Sequence, residues 1–217
     1  KLMILKILDS SNHGFYSWWS AAIYYATNNG AKVLNMSVGG SSYSSSMKTA
    51  VNYAYQNGVT IVVSMMNDNN DTPYYPAAYQ NTIAVGATDT DDSRANPFSW
   101  GGGSSYGNHI DVVAPGNYIF SINHQSNNNF NPYRGGTSQA APHVAGLASL
   151  LFAQDTTRTP NDIRQIIENS AEDQVGDTLE DTPGWDQFYG FGRINANAAL
   201  LLNSIDNGNS KKPVSFD

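Results

Sequence analysis

One serine at the start of an apolar segment is the residue of this chain best placed to do chemistry. The segment from Gly135 to Ala153 reads GGTSQAAPHVAGLASLLFA, and Ser138 follows two glycines and a threonine. The residues after Ser138 are mostly alanine, valine and leucine, which predicts a helix with no polar face, buried against a sheet. Pro142 is compatible with this helix because it falls in the first turn, where its missing N–H has no intrahelical partner.

The position of Ser138 at a helix N-terminus allows two interpretations. Free backbone N–H groups and the positive end of the helix dipole converge there, so they stabilise an oxyanion that forms next to the hydroxyl. In this interpretation Ser138 is a nucleophile. Serine is also among the preferred N-cap residues, so in the alternative interpretation its hydroxyl only caps the helix.

Composition and charge limit the classes to which the protein belongs. The 217 residues fit one large α/β domain or most of one. Only 13% of residues are charged, against roughly 25% in average domains, and the net charge of −7 argues against a nucleic-acid partner. The chain has no cysteine, which excludes disulfides and thiolate metal sites, and no run of about 18 apolar residues that predicts a membrane span. Such a polar, cysteine-free surface suits a secreted protein.

Apolar runs that alternate with helical segments predict an α/β fold. In this three-layer arrangement a mainly parallel sheet carries helices on both faces. The predicted strands are 2–8, 31–36, 59–65, 82–88 and 110–114. The predicted helices are 16–27, 46–56 and three more, which begin near Ser138, at Thr159–Pro160 and after the turn at Gly190. Residues 1–203 are predicted to form the domain and residues 204–217 a polar tail or linker.

Three loops that follow predicted strands are rich in glycine, asparagine and serine. Their sequences are SSNHG (10–14), SVGGSS (37–42) and NDNNDTPYYP (67–76). Reactive groups of a parallel sheet gather at the carboxyl ends of its strands, so these loops are candidates for the surroundings of Ser138.

The segment around Ser138 resembles the nucleophile segment of the subtilisin-like serine proteases, the subtilases. The string G-T-S-x-A-x-P-H-V-A-G carries this resemblance, and its many fixed identities make it specific. The resemblance extends over roughly residues 2–202. It implies that Ser138 attacks a peptide carbonyl, that its own backbone N–H is one oxyanion donor, and that catalysis needs no cofactor.

The segment VTIVVSMMND (59–68) resembles the strand that delivers the oxyanion-hole asparagine of the family. This resemblance implies that Asn67 is the second oxyanion donor. The family usually has glycine just before this asparagine, and Met66 departs from that pattern. A side chain there would crowd the pocket for the residue before the scissile bond, and a positive φ at Met66 would strain its backbone.

Two further segments resemble the parts of a subtilase that hold the substrate. VLNMSVGG (33–40) is similar to the strand that pairs with an extended peptide, and SSNHG (10–14) is similar to the opposite edge. The resemblance implies substrate contacts at Ser37, Val38, Gly39, Asn12 and Gly14. The expected partner is therefore a peptide or protein substrate.

A serine nucleophile needs a histidine base and a carboxylate that orients the base. In the family the aspartate and a His-Gly-Thr-His segment precede the serine, and neither motif is present here. We therefore expect this chain to be the C-terminal portion of a subtilase catalytic domain, nearly inactive alone, with the missing N-terminal segment as a partner. The histidines are interpreted as structural, substrate-contacting or loop residues and not as the base: His13, His109, His124 and His143.

Calcium is the metal that the sequence suggests. The acidic run DTDDS (89–93) and Asp111 offer the carboxylate oxygens that calcium prefers, and the resemblance implies a structural role for it. A solvated acidic loop is the alternative, so the metal ligands stay unassigned.

Two other functions remain open at the sequence level. In one, the chain is a catalytically dead subtilase-fold binding module, with Met66 as a sign of decay. In the other, it is an extracellular scaffold in which Ser138 only caps a helix.

Overall fold

Four parallel strands form the main sheet of the protein. The computed structural model describes residues 1–122 and 130–202, and of residues 130–133 the backbone alone. The strands lie in the order in which they occur along the chain: β1 (Val33–Met36), β2 (Thr60–Ser64), β3 (Ile83–Thr88) and β4 (Val112–Pro115). Each overlaps a strand predicted from the sequence.

Helices cover both faces of this sheet, which confirms the three-layer α/β prediction. The helices are α1 (Tyr16–Asn28), α2 (Ser45–Gln56), α3 (Thr137–Gln154), α4 (Pro160–Asn169) and α5 (Ala196–Leu201). The first two share one apolar core with the sheet. The other three contribute to a second core on the opposite face.

The central strand β2 shows why the sheet needs both layers. Its sequence TIVVS is buried at every position. Val62 packs into the core with α3, whereas Ile61 and Val63 pack into the core with α1 and α2. Successive side chains of a strand point to opposite faces, so a strand that is apolar throughout is stable only between two helical layers.

The predicted strand over residues 2–8 is wrong, because the structure has no strand there. Leu2 is 93% exposed and Ile4 is 85% exposed. A strand requires a hydrogen-bonding neighbour, and among the described strands β1 pairs with β2 alone. The end of this segment is held instead by Trp19, whose indole N–H donates to the carbonyl of Ile7 at 3.2 Å.

The prediction that α3 is buried on every side is also wrong. Pro142, Gly146 and Leu150 are exposed, as is His143. Three of these four residues are spaced four apart, so they lie along one face of the helix. The opposite face packs on the sheet, whereas no described residue covers the exposed one. An apolar composition therefore identified the helix but not the extent of its burial.

A two-stranded antiparallel sheet, formed by the part of the sequence between β4 and α3, was not predicted. It pairs β5 (Ile119–Ile122) with β6 (Phe130–Arg134) and leads the chain to Gly135. The predicted tail at 204–217, and His124, lie outside the described residues. Within the described ranges no helix has the length and apolar character to cross a membrane.

The helix α4 begins as the sequence predicts. The Thr159 side chain accepts the backbone N–H of Asp162, and the Asp162 carboxylate accepts the backbone N–H of Thr159 at 2.7 Å. This capping box satisfies two donors that a helix otherwise leaves free, and Pro160 occupies a position where no donor is needed.

Loss of this cap should weaken the fold measurably. We expect Thr159→Ala to lower the free energy of unfolding by about 1 kcal/mol, because the N–H of Asp162 loses its acceptor. Urea unfolding followed by circular dichroism measures the change. The control is Thr178→Ala, at an exposed loop threonine, which should leave the midpoint in place. Equal midpoints for both variants would contradict the assigned cap.

Candidate active site

Ser138 lies in the first turn of α3, at the carboxyl ends of the parallel strands. The N-cap of this helix is Gly136, with φ 148 and ψ 156, and no side chain caps the helix. Glycine alone adopts such a φ readily, so Gly136 allows the sharp turn that presents Ser138 as the second helical residue. The side chain of Thr137 is buried, and Ser138 is partly exposed. The alternative in which Ser138 is the N-cap does not agree with this geometry.

Asn67 extends from the end of β2 to the same turn. Its Oδ1 accepts the backbone N–H of Thr137 at 2.8 Å and the Thr137 hydroxyl at 3.0 Å. An N–H group can only donate, so this bond fixes which end of the Asn67 amide faces the helix. The Nδ2 group faces elsewhere, and none of the hydrogen bonds among the described residues uses it. The amide therefore keeps a donor for an oxyanion next to Ser138.

Sequence reasoning overlooked Thr137 as a residue that orients the site. Besides Asn67, its hydroxyl contacts the carbonyl oxygen of Met66 at 3.2 Å. The same carbonyl accepts the backbone N–H of Ser105 at 3.1 Å. Thr137 thus joins the first turn of α3 to Met66 and Asn67, which follow β2. The position of Thr137 between Gly136 and Ser138 was the only signal for it in the sequence.

The end of β1 contacts the same turn. The Ser37 hydroxyl donates to the carbonyl of Ser138 at 3.1 Å. Residues 37–39 continue beyond Met36, the last residue of β1 that pairs with β2. Val38 packs against the core formed with α1 and α2, and Gly39 contacts the Met66 side chain. The structure thus brings Ser37 and Asn67 to Ser138 from two neighbouring strands.

The other two predicted substrate residues lie in the loop that precedes α1. Asn12 is exposed and has φ 60. Gly14 is confined, because an added Cβ would lie 2.4 Å from the carbonyl oxygen of Ile7 and 2.5 Å from the Trp19 indole nitrogen. No hydrogen bond among the described residues joins this loop to Ser138 or Asn67. Their contact with substrate stays a prediction.

Three histidines lie in the described part of the chain. His13 and His143 are exposed, and the Nδ1 atom of His143 lies 2.9 Å from the carbonyl oxygen of Gln139. His109 is buried. The hydrogen bonds described for His13 and His143 go to Asp9 and Gln139 and not to Ser138. A base supplied by another segment stays a prediction.

Two of the carboxylates proposed for calcium are engaged by other groups of the protein. Asp111 is fully buried, accepts the N–H of Ala84 at 2.6 Å and faces the Arg164 guanidinium at 3.8 Å. In the acidic run, Asp92 forms an ion pair with Arg193. The described residues contain no group of three or more histidine or carboxylate side chains that could hold a metal ion. Calcium therefore stays a prediction without geometric support.

Met66 adopts φ 70. A positive φ was predicted to strain the backbone at this residue, so the strain is present. An L-residue in this left-handed region costs roughly 1–2 kcal/mol. The carbonyl contacts with Thr137 and Ser105 described above hold the peptide group that follows Met66. The backbone is therefore placed as a glycine would be, although a methionine occupies the position.

A serine in the first turn of a helix, beside an asparagine with a free amide donor, is an arrangement found in serine hydrolases. The parallel sheet that supports it narrows the class further. The chain belongs to the subtilase family, whose family model matches residues 1–192.

Similarity to individual proteins supports this assignment. The chain is 37% identical over 199 residues to thermitase of Thermoactinomyces vulgaris, covering 92% of this chain and 64% of that protein. It is 38% identical over 200 residues to a thermophilic serine proteinase of Bacillus sp. (strain AK1), covering 92% and 45%. It is 37% identical over 202 residues to subtilisin DY of Bacillus licheniformis, covering 91% and 67%. The chain thus spans less than two thirds of the first two relatives.

Tyr79 fixes the loop that leads from the β1 extension to α2. Its hydroxyl donates to the carbonyl of Ser44 at 2.7 Å and accepts the backbone N–H of Ser44 at 3.2 Å. Ser44 is the N-cap of α2. Burial raises the pKa of Tyr79 to about 12, because the charged phenolate is poorly solvated there.

Because of this shift, the free energy of unfolding changes with pH in the alkaline range. The pKa is higher in the folded than in the unfolded chain, so the stabilisation is complete below pH 10 and is lost as the pH rises towards 12. Across that range the free energy of unfolding should fall by on the order of 2 kcal/mol more in the wild type than in Tyr79→Phe. Urea unfolding at several pH values tests this. Tyr25→Phe, at an exposed tyrosine, is the control. Parallel pH profiles for wild type and Tyr79→Phe would contradict the prediction.

Proposed function

We propose that this chain is part of a secreted serine endopeptidase that cleaves peptide bonds through an acyl-enzyme on Ser138. The observation that carries the proposal is the hydrogen bond from the Thr137 N–H to Asn67 Oδ1 at 2.8 Å. This bond supports the proposal, because it engages the oxygen of the Asn67 amide and leaves the Nδ2 group to donate to an oxyanion. The polar surface without cysteine supports secretion, and membership in the subtilase family supports the reaction.

The proposed mechanism follows from these positions. The Ser138 hydroxyl loses its proton to a base and attacks the carbonyl carbon of the substrate. The backbone N–H of Ser138 and the Nδ2 group of Asn67 donate to the resulting oxyanion. Collapse of this intermediate expels the amine, which takes the proton from the base, and water then releases the acid from Ser138. No cofactor takes part in these steps.

The substrate is proposed to lie as an extended peptide beside the continuation of β1. Residues 37–39 continue this strand beyond its last pair with β2, so they provide an edge to which a peptide strand adds. Ser37, Val38 and Gly39 bind its backbone from this side, and Asn12 and Gly14 border it on the other. Backbone hydrogen bonds of this kind supply affinity for many sequences.

The base and its carboxylate are proposed to come from a segment outside these 217 residues. Three observations support this. The described part of β1 has one unpaired edge, and the face of α3 that includes His143 and Gly146 is uncovered. Thermitase and the thermophilic serine proteinase are both longer than this chain. Such a segment would cover apolar surface near Ser138 and bring the missing aspartate and histidine.

A binding module with the same fold is the second candidate function. The strained Met66 at a position that the backbone suits to glycine favours this alternative. In that case the cleft holds a peptide or protein without cleaving it. The alternative predicts that Ser138 is unreactive even in the complete protein.

Labelling of Ser138 distinguishes these two functions. We expect a fluorophosphonate probe to label the complete protein, and Ser138→Ala to abolish both labelling and peptide cleavage. These 217 residues alone should turn over about 10⁶-fold more slowly, the loss known for a subtilisin without its histidine. Mass spectrometry and a chromogenic peptide give the two readouts. A complete protein that is neither labelled nor active would be a binding module.

Replacement of Asn67 tests the second oxyanion donor. Asn67→Ala in the complete protein should lower kcat by about 10²–10³-fold with little change in KM, as for the corresponding asparagine of a subtilisin. The reason is that the donor acts mainly in the transition state. Asn197→Ala, at an exposed position of α5, is the control. Wild-type kcat in Asn67→Ala would show that another group stabilises the oxyanion.

A further inference from the structure

The ends of β1 and β2 border a crevice beside Ser138. The two strands are parallel neighbours whose last paired residues are Met36 and Val63. Beyond this pair, the β1 extension contacts the carbonyl of Ser138 through Ser37, and the β2 extension reaches the start of α3 through Asn67. Both walls of the crevice therefore touch the turn that carries the nucleophile.

The partly exposed Met66 side chain extends across this crevice. A Cβ added to Gly39 would lie 2.9 Å from the Met66 sulfur and 3.0 Å from its Cγ atom. The side chain therefore crosses from the β2 extension to the β1 extension and rests on a residue without a side chain. A larger residue than glycine at position 39 would collide with it.

The backbone conformation at Met66 directs its side chain into this position. Met66 has φ 70, and its carbonyl accepts the Ser105 N–H and lies 3.2 Å from the Thr137 hydroxyl. The side chain leaves the crevice only by rotation about its own bonds. Methionine has three such bonds and is therefore adaptable. A small substrate side chain would leave Met66 in place, whereas a bulky one would have to displace it.

We infer that Met66 restricts the substrate residue before the scissile bond to glycine or alanine. This inference rests on the proposed function, since it concerns a peptide bound for attack by Ser138. When the carbonyl carbon of that residue lies at Ser138 and its oxygen faces Asn67 Nδ2, a backbone along residues 37–39 directs the side chain between the two strand ends. Met66 already occupies this space, so a phenylalanine or leucine side chain has to displace it.

Two peptide substrates that differ only at this residue test the inference. We expect the complete protein to cleave the alanine peptide with a kcat/KM about tenfold or more above that of the phenylalanine peptide. Met66→Gly should raise kcat/KM for the phenylalanine peptide by about tenfold or more and change the alanine value by less than about threefold. Met66→Ala, which keeps the positive φ but removes most of the side chain, should change the ratio in the same direction.

A matched control separates the side chain from the backbone. Gln174→Gly likewise replaces a residue of positive φ, at φ 60, but at an exposed position, and should leave the ratio of the two substrates unchanged. Equal cleavage of both peptides by the wild type, or an unchanged ratio in Met66→Gly, would overturn the inference while the protease function stands. Failure of every variant to cleave either peptide would contradict the proposed function itself, and this inference with it.

Discussion

The hydrogen bond between the Thr137 N–H and Asn67 Oδ1 is the interaction on which the site depends. It joins the first turn of α3, which lies on one face of the sheet, to the end of the buried strand β2. A second bond, from the Gly136 N–H to the carbonyl of Gly116 at 2.8 Å, ties the same turn to the segment after β4. The helix start is thus held by two strand ends, and Ser138 is positioned by the rigid sheet rather than by a loop.

This arrangement fixes the orientation of the Asn67 side-chain amide. A side-chain amide in water presents its oxygen and nitrogen with equal ease. Here the backbone donor of Thr137 selects the oxygen, so the Nδ2 group remains as the donor that we propose for the oxyanion. A preorganised donor needs no reorganisation when the oxyanion forms, and this is the main reason why such donors accelerate acyl transfer.

The sequence was sufficient for the parts of the structure that depend on local pattern. Uninterrupted apolar runs such as TIVVS identified the parallel strands, and capping residues such as Thr159 identified helix starts. Ser138 and Asn67 were identified by resemblance to a family, and the structure places their segments together. Thr137 was overlooked, because its contribution depends on contacts with residues about 70 positions away.

The incorrect predictions concern features that depend on neighbours. Residues 2–8 are as apolar as a buried strand, yet no described strand pairs with them and residues 2–4 are exposed. Helix α3 is mostly apolar, yet no described residue covers the face that carries Pro142, Gly146 and Leu150. The positive φ of Met66 was raised only as a condition, since the type of a single residue does not determine its backbone angles.

A crystal structure of the complete protein after reaction with an organophosphorus probe tests the central claim most directly. The account predicts phosphorus bonded to the Ser138 hydroxyl oxygen, with one phosphoryl oxygen about 2.7–3.1 Å from both the Asn67 Nδ2 and the Ser138 backbone nitrogen. It also predicts that Asn67 Oδ1 keeps its bond with the Thr137 N–H. An adduct on another residue, or an Asn67 amide that faces away from the phosphoryl oxygen, would contradict it.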